Sequence, residues 1–283
     1  LAQAAYQYLA NAYPELEGLE LSITKPFDFK ARDGLMIPGY LTVPKGAEAK
    51  NLPLIVHPHG GPRTRDFLDY DYWVQFFASR GWAVFQPNFR GSSGYGAGLE
   101  AAGLGEWGRA MQDDLTDGVQ ALISEGVADP DRICIVGSSY GGYASLQGLV
   151  KTPDLYACGV AVNPVTDIAE IISDRRHYTG FLRWRDYWRQ DDMAAVSPAR
   201  HAEKITAPVM IAYSEDDRVV EPDHSTMMID ALKDADGKVE KVRLKDGDHS
   251  LSRHQNRVKL FQKMDAFLQA QIGLGPIPSG ASD

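Results

Sequence analysis

The chain has 283 residues, 44% of them hydrophobic and 24% charged, with a formal net charge of -9. That balance is ordinary for a globular protein with a sizeable core, and the acidic surplus argues against nucleic acid as the main partner. No apolar run approaches the ~18 residues of a membrane span.

Residues 1–24 read as a helix or linker broken by Pro14. Alternation from Phe27 to Ala31, an Asp33-Gly34 turn and a return strand from Leu35 to Val43 predict an antiparallel pair. Leu52–His57 and Trp82–Gln86 are apolar runs of the kind buried in parallel sheets, separated by a helical stretch over Tyr70–Ser79. Met111, Leu115, Val119, Leu122 and Ile123 recur at helical spacing within Glu106–Gly126. A strand ends at Val136 and a helix covers Tyr143–Val150. Tyr156–Val162, Pro208–Tyr213 and Val239–Leu244 read as further strands. A last helix places Val258, Phe261, Met264, Leu268 and Ile272 on one face, and a Gly/Pro/Ser-rich tail fills 273–283. Strands alternating with helices predict an α/β fold, a mostly parallel sheet covered on both faces. Cys134 and Cys158 fall in two of the buried strands, where reduced core thiols are expected. The cysteines leave the compartment open, with the cytoplasm favoured.

The strand before Gly137-Ser138-Ser139-Tyr140-Gly141 runs directly into a helix, the context that G-x-S-x-G requires. Ser139 would sit in a strained turn at a helix N-terminus, where N–H groups favour a developing negative charge. A serine hydroxyl needs a base, and histidine needs a carboxylate to fix its tautomer. Candidates follow in the order that such sheets use. Asp216 and Asp217 come just past the Val209–Tyr213 strand, and His249 comes in the loop after the last strand. His177, His201 and His224 have no partner that the sequence identifies. An oxyanion site needs two N–H donors. Tyr140 supplies one, and the glycine turn Gly60-Gly61 in His57-Pro58-His59-Gly60-Gly61-Pro62 supplies the other. His57 and His59 could pair on a metal, but no third ligand is placed to complete a site; no metal and no cofactor is expected.

Four stretches together resemble the prolyl oligopeptidase family, and within it the acylaminoacyl-peptidase and dipeptidyl-peptidase-like members. They are His59–Pro62, Asn88–Gly96, Gly137–Gly142 and Asp216–Val220, and the likeness covers roughly 25–272. The resemblance implies an α/β-hydrolase catalytic domain that cleaves peptides or acyl-peptides. It assigns Ser139 as nucleophile, His249 as base, Asp216 as the acid and Arg218 as a ligand of a substrate carbonyl. Family members usually carry a β-propeller before this domain, whereas only residues 1–24 precede the first strand here. The chain reads either as an excised catalytic domain, which a start at Leu1 favours, or as a naturally small hydrolase, and a homo-oligomer is one of the assemblies left open.

Residues 174–199 form an irregular insertion rich in aromatics, among them Tyr178, Phe181 and Trp184, interleaved with arginines. An apolar pocket for the acyl side of the substrate is expected there, with the arginines paired to Asp186, Asp191 and Asp192. The resulting expectation is a serine hydrolase working through an acyl-enzyme on a small peptide substrate, with a carboxylesterase as the alternative. Nucleic acid and membrane are not expected as partners.

Overall fold

The structure is a computed structural model that describes residues 13–276, without the side chains of Arg183 and Trp184. The first half of the expected N-terminal segment and the end of the expected tail lie outside the described residues.

The chain enters through a single 3-10 turn, Pro14–Leu16, and the short strand β1, Thr24–Pro26. The expected hairpin then divides. Phe29–Lys30 (β2) and Met36–Ile37 (β3) pair antiparallel as a separate ribbon, with Phe29 opposite Ile37. Gly39–Thr42 (β4) joins the main sheet instead. Pro38, which has no N–H to give a ladder, lies at the break, and its carbonyl accepts the Asn88 N–H at 2.8 Å.

The rest alternates as expected: Leu52–Val56 (β5), Tyr72–Ser79 (α1), Ala83–Pro87 (β6), Ala97–Ala101 (α2), Ala110–Ser124 (α3), Ala128–Ser138 (β7) and Tyr140–Lys151 (α4). Cys158–Val162 (β8), Ile168–Asp174 (α5), Phe181–Trp188 (α6), Val209–Ser214 (β9), Pro222–Asp234 (α7), Val239–Leu244 (β10) and His254–Ile272 (α8) complete the chain. Helices α2, α5, α6 and α7 were not expected. Three are short, and α7 includes polar residues, His224 and Ser225, on the face that it buries with Met228, Ile229 and Leu232.

The eight-stranded sheet has the order β1-β4-β6-β5-β7-β8-β9-β10. β1 and β4 are antiparallel, and β6 through β10 run parallel. The chain therefore has the α/β-hydrolase arrangement. Strand alternation splits the core into two layers. Ile133 and Ile135 of β7 join Val209 and Ile211 of β9 on the face covered by α3, α4 and α7. Cys134 and Val136 join Met210 and Ala212 on the face covered by α1 and α8. On α8 the buried apolar residues are Leu260, Met264, Phe267, Leu268 and Ile272, whereas Val258 is exposed. The apolar stripe there is narrower at its start than the spacing suggested.

The cysteines correct another expectation. Parallel pairing sets Cys134 of β7 opposite Cys158 of β8, and the two are joined in a disulfide. Sequence separation alone hid this, because the pairing depends on register. Beside the sheet, Asp114 of α3, fully buried, receives Arg90 Nε and Nη2 at 2.9 and 2.8 Å, and Arg90 Nη1 reaches Asp33 at 2.8 Å. This network ties the β2–β3 turn to the loop that follows β6.

Candidate active site

β7 ends in Ser138, and Ser139 turns at φ 60° and ψ -121° into α4. A non-glycine residue there is strained, and it persists because its surroundings fix it. The Ser139 N–H donates to the Val162 carbonyl at the end of β8, 2.9 Å away. A Cβ on Gly137 would lie 2.3 Å from the Gly141 carbonyl oxygen, and one on Gly141 would lie 2.2 Å from the Pro58 carbonyl oxygen. The strand, the helix and the loop after β5 can meet this closely only with glycine at both places. Tyr140, the first residue of α4, keeps a main-chain N–H that no intrahelical acceptor can take.

The loop after β5 lies against Ser139: the Cβ position of Gly60 is 3.6 Å from the Ser139 Cβ. His59, stacked on Phe89 at 4.4 Å between centroids, is buried and bonded at both ring nitrogens. Its Nδ1 lies 2.7 Å from the Gly60 carbonyl and its Nε2 lies 2.8 Å from Ser92 Oγ. A carbonyl can only accept, so Nδ1 carries the proton and Ser92 donates to Nε2. Burial holds this ring neutral by lowering its pKa to about 4. With the Gly60 carbonyl so held, the Gly61 N–H, on the opposite edge of the same peptide plane, faces away from His59. His57 spends its Nδ1 on the Val136 carbonyl at 2.6 Å and stacks on Trp73. The two histidines are thus committed to backbone and hydroxyl partners, and among the described residues no group of three metal-binding side chains occurs.

β9 delivers Ser214-Glu215-Asp216-Asp217. The expectation for the acid is corrected here: Asp217, not Asp216, faces the histidine. Asp217 is 2% exposed, and its Oδ2 lies 2.6 Å from His249 Nδ1. Its Oδ1 accepts the N–H groups of Val219 and Val220 at 2.8 and 2.9 Å. Asp216 is exposed, and its N–H donates to the Gly247 carbonyl at 2.8 Å. The turn after β9 thus rotates the first carboxylate outward and the second inward. An ionised carboxylate only accepts, so Asp217 holds the proton on His249 Nδ1 and leaves Nε2 as a base.

His249 lies in the loop after β10, which returns across the ends of β9 and β8. Asn163, the residue after β8, donates from Nδ2 to the His249 carbonyl at 3.3 Å. Glu215 braces the same loop, accepting the Asp246 N–H at 3.3 Å and pairing with Arg243. Asp248 accepts the Ser252 N–H at 2.9 Å. Asn163 is a position that sequence reasoning passed over, and His59 was weighed only as a metal ligand and as part of a motif, not as the residue that holds the Gly60 carbonyl. The signal for each was its place, one residue past a buried strand or one before a glycine pair.

The insertion folds back on the acid loop. Tyr178 donates its hydroxyl to the Arg218 carbonyl at 3.1 Å, and Arg175 donates to the Val219 carbonyl while stacking on the Tyr178 and Trp188 rings. Arg218 itself is exposed, Phe181 is half-buried, and the side chain of Trp184 lies outside the described residues. Arg185 pairs with Asp186 at 2.7 Å as expected, whereas Arg175 does not pair with an aspartate of the insertion. His224 has the partners that the sequence did not identify: its Nδ1 accepts from the Thr166 N–H at 3.2 Å, and Nε2 lies 3.4 Å from Asp174. His201 Nε2 lies 3.0 Å from the Ala194 carbonyl.

Comparison with known proteins is consistent with this geometry. A model described as the prolyl oligopeptidase family matches residues 68–275. Dipeptidyl aminopeptidase BIII of Pseudoxanthomonas mexicana is 34% identical over 96% of this chain and 42% of its own. Acylamino-acid-releasing enzyme of Arabidopsis thaliana is 27% identical over 74% of this chain and 29% of its own. Among solved structures, an acylaminoacyl peptidase of Pyrococcus horikoshii superposes with a TM-score of 0.84 at 26% identity, over 98% of this chain and 46% of that one. A puromycin hydrolase superposes with a TM-score of 0.83 at 25% identity, over 91% and 40%. The chain spans less than half the length of these relatives.

Proposed function

Because the chain belongs to the prolyl oligopeptidase family, we propose that it is a serine-type peptidase acting through an acyl-enzyme, with Ser139, His249 and Asp217 as its triad. The observation that carries the reading is the 2.6 Å contact between Asp217 and His249 on the sheet edge where Ser139 is held in a strained turn. In this mechanism Ser139 Oγ attacks the scissile carbonyl and His249 Nε2 takes its proton. Asp217 stabilises the imidazolium without being protonated. The N–H groups of Tyr140 and Gly61 receive the oxyanion, a contribution typically worth ~3–4 kcal/mol per donor. His249 then returns the proton to the leaving amine, and water repeats the sequence on the acyl-enzyme.

The names of the relatives, dipeptidyl aminopeptidase and acylamino-acid-releasing enzyme, support peptides or acyl-peptides as the substrate class. Nothing in the geometry favours an esterase over a peptidase. We place the acyl-side group of the substrate against the insertion, with Tyr178, Phe181, Trp184 and Arg218 as candidate wall residues. Labelling with a fluorophosphonate and mapping the adduct tests the nucleophile; a protein that stays unlabelled, or is labelled elsewhere, contradicts it. Rates on acyl-peptide or aminoacyl p-nitroanilides, compared with p-nitrophenyl esters, test the substrate class. Turnover of esters alone would leave the esterase reading standing.

A further inference from the structure

Asn163 stands between the strand that delivers Ser139 and the strand that delivers Asp217. It is 2% exposed, and its backbone is left-handed at φ +46°. Asparagine tolerates that region better than most residues. Its Oδ1 accepts the Ser214 N–H at 2.8 Å. Its Nδ2 donates to Ser214 Oγ and to the His249 carbonyl, each at 3.3 Å. Its own N–H donates to the Ala212 carbonyl at 2.8 Å, and the carbonyl one residue earlier accepts the Ser139 N–H at 2.9 Å. The amide can be oriented only one way, since a flipped group would set an N–H against the N–H of Ser214.

Two consecutive residues, Val162 and Asn163, therefore touch the backbone of the nucleophile, the root of the acid loop and the backbone of the base. The other contacts described near the site, such as the Asp216 N–H on the Gly247 carbonyl, join the acid loop to the histidine loop without reaching the nucleophile. The bond from Nδ2 to His249 matters most, because the loop after β10 is joined to the nucleophile's strand only across two intervening strands. An acyl transfer depends on base and nucleophile keeping their separation, and a displacement of about 1 Å can cost ~10²-fold in rate.

We infer that Asn163 is a positioning residue of the acyl-transfer reaction, which locks the main chain of His249 to that of Ser139. The inference rests on the triad assigned above. Aspartate in its place keeps the shape and the acceptor for Ser214 but turns an oxygen toward the His249 carbonyl. Glycine keeps the left-handed backbone and deletes the amide.

The test compares Asn163→Gly and Asn163→Asp with the unaltered chain in steady-state kinetics, fluorophosphonate inactivation and proton NMR of the His249 Nδ1–H resonance, assigned by its loss in His249→Ala. The expected result is a fall of about 10- to 100-fold in kcat with KM little changed. A parallel slowing of Ser139 labelling and a broadened or shifted resonance are expected in both variants. Folded variants with normal kcat, labelling rate and resonance overturn the inference even if they melt earlier, since Asn163 then serves stability alone. Failure of both variants to fold overturns it for the same reason. If Ser139→Ala turns over normally, or the unaltered chain is not labelled at Ser139, the triad itself is wrong and the variants of Asn163 are not at issue.

Discussion

The strand-end rim and the insertion above it are built on different principles. On the rim, each candidate residue is placed by the end of a strand and by short bonds to the main chain of its own turn or of the adjoining strand end. Ser139 is fixed by its turn and the Val162 carbonyl, Asp217 by the Val219 and Val220 amides, and His59 by its own neighbour Gly60. The insertion is held from a distance. Trp188 packs on Trp107 at 5.6 Å, and Arg175 and Tyr178 reach carbonyls of the acid loop. The difference teaches that geometry for chemistry is stored in main-chain bonds between adjoining strand ends here, while the covering wall depends on side-chain contacts with more distant elements. Changes on the rim should therefore act on kcat, and changes in the insertion on KM, preference and local stability.

The severest test of that division is Ser139→Ala, expected to lower kcat by roughly 10⁴–10⁶-fold with the fold intact; residual turnover within tenfold of the parent enzyme would end the mechanism. The paired carboxylates give a sharper contrast. Asp217→Asn should cost ~10⁴-fold in kcat by releasing the wrong tautomer of His249, while Asp216→Asn, on an exposed side chain, should leave kcat near its starting value. Reversal of that order would restore Asp216 as the acid.

Much of the rim was legible before any coordinates, because strand ends and the turns after them carry local sequence signals. The Gly-Ser-Ser-Tyr-Gly run needed a strand before it and a helix after it, and both are present. The choice between Asp216 and Asp217 was not legible, because it turns on one rotation of the chain after β9 that composition does not encode. The disulfide depends on the register of β7 against β8, which no local pattern reveals. The split of the hairpin into two sheets could have been read from Pro38. The insertion was the least legible stretch. Its aromatics were visible, but their roles rest on partners such as Trp107 and Arg218 that lie far away in sequence.

Trp188→Ala probes how the insertion is anchored. The ring is 6% exposed, and truncating a buried Trp costs ~3–5 kcal/mol. Urea unfolding should show that loss, with KM rising more than kcat falls. A kcat defect as large as that of Asp217→Asn would break the division between rim and wall. His59 tests the rim through stability. Its folded-state pKa, about 4, lies below the ordinary histidine value of ~6.5, so its stabilisation is complete above pH 6.5 and is lost as pH falls toward 4. The loss is about 3 kcal/mol at most. Between pH 6.5 and 4.5 the unfolding free energy of His59→Gln should lose less with falling pH than that of the parent chain. Asp66, raised to about 8 by burial and by Asp71, works in the opposite sense in both proteins and drops out of the difference. Equal slopes would mean that His59 is not held neutral.

The smallest effect is expected from Tyr178→Phe. The tyrosine is 48% exposed, and its hydroxyl donates to the Arg218 carbonyl at 3.1 Å. A neutral bond at the surface contributes ~0.5–1.5 kcal/mol, with exposure pulling the value toward the lower end. Thermal stability should barely change. The acid loop, however, loses a tether on its outer side while Asp217 keeps all three of its own bonds on the inner side. The phenylalanine variant should therefore keep kcat on a small acyl-p-nitroanilide and show a shift in relative kcat/KM across a panel of acyl-side groups. If instead kcat falls alone and the panel keeps its ranking, the tether acts on the triad, and wall and rim are one mechanical unit.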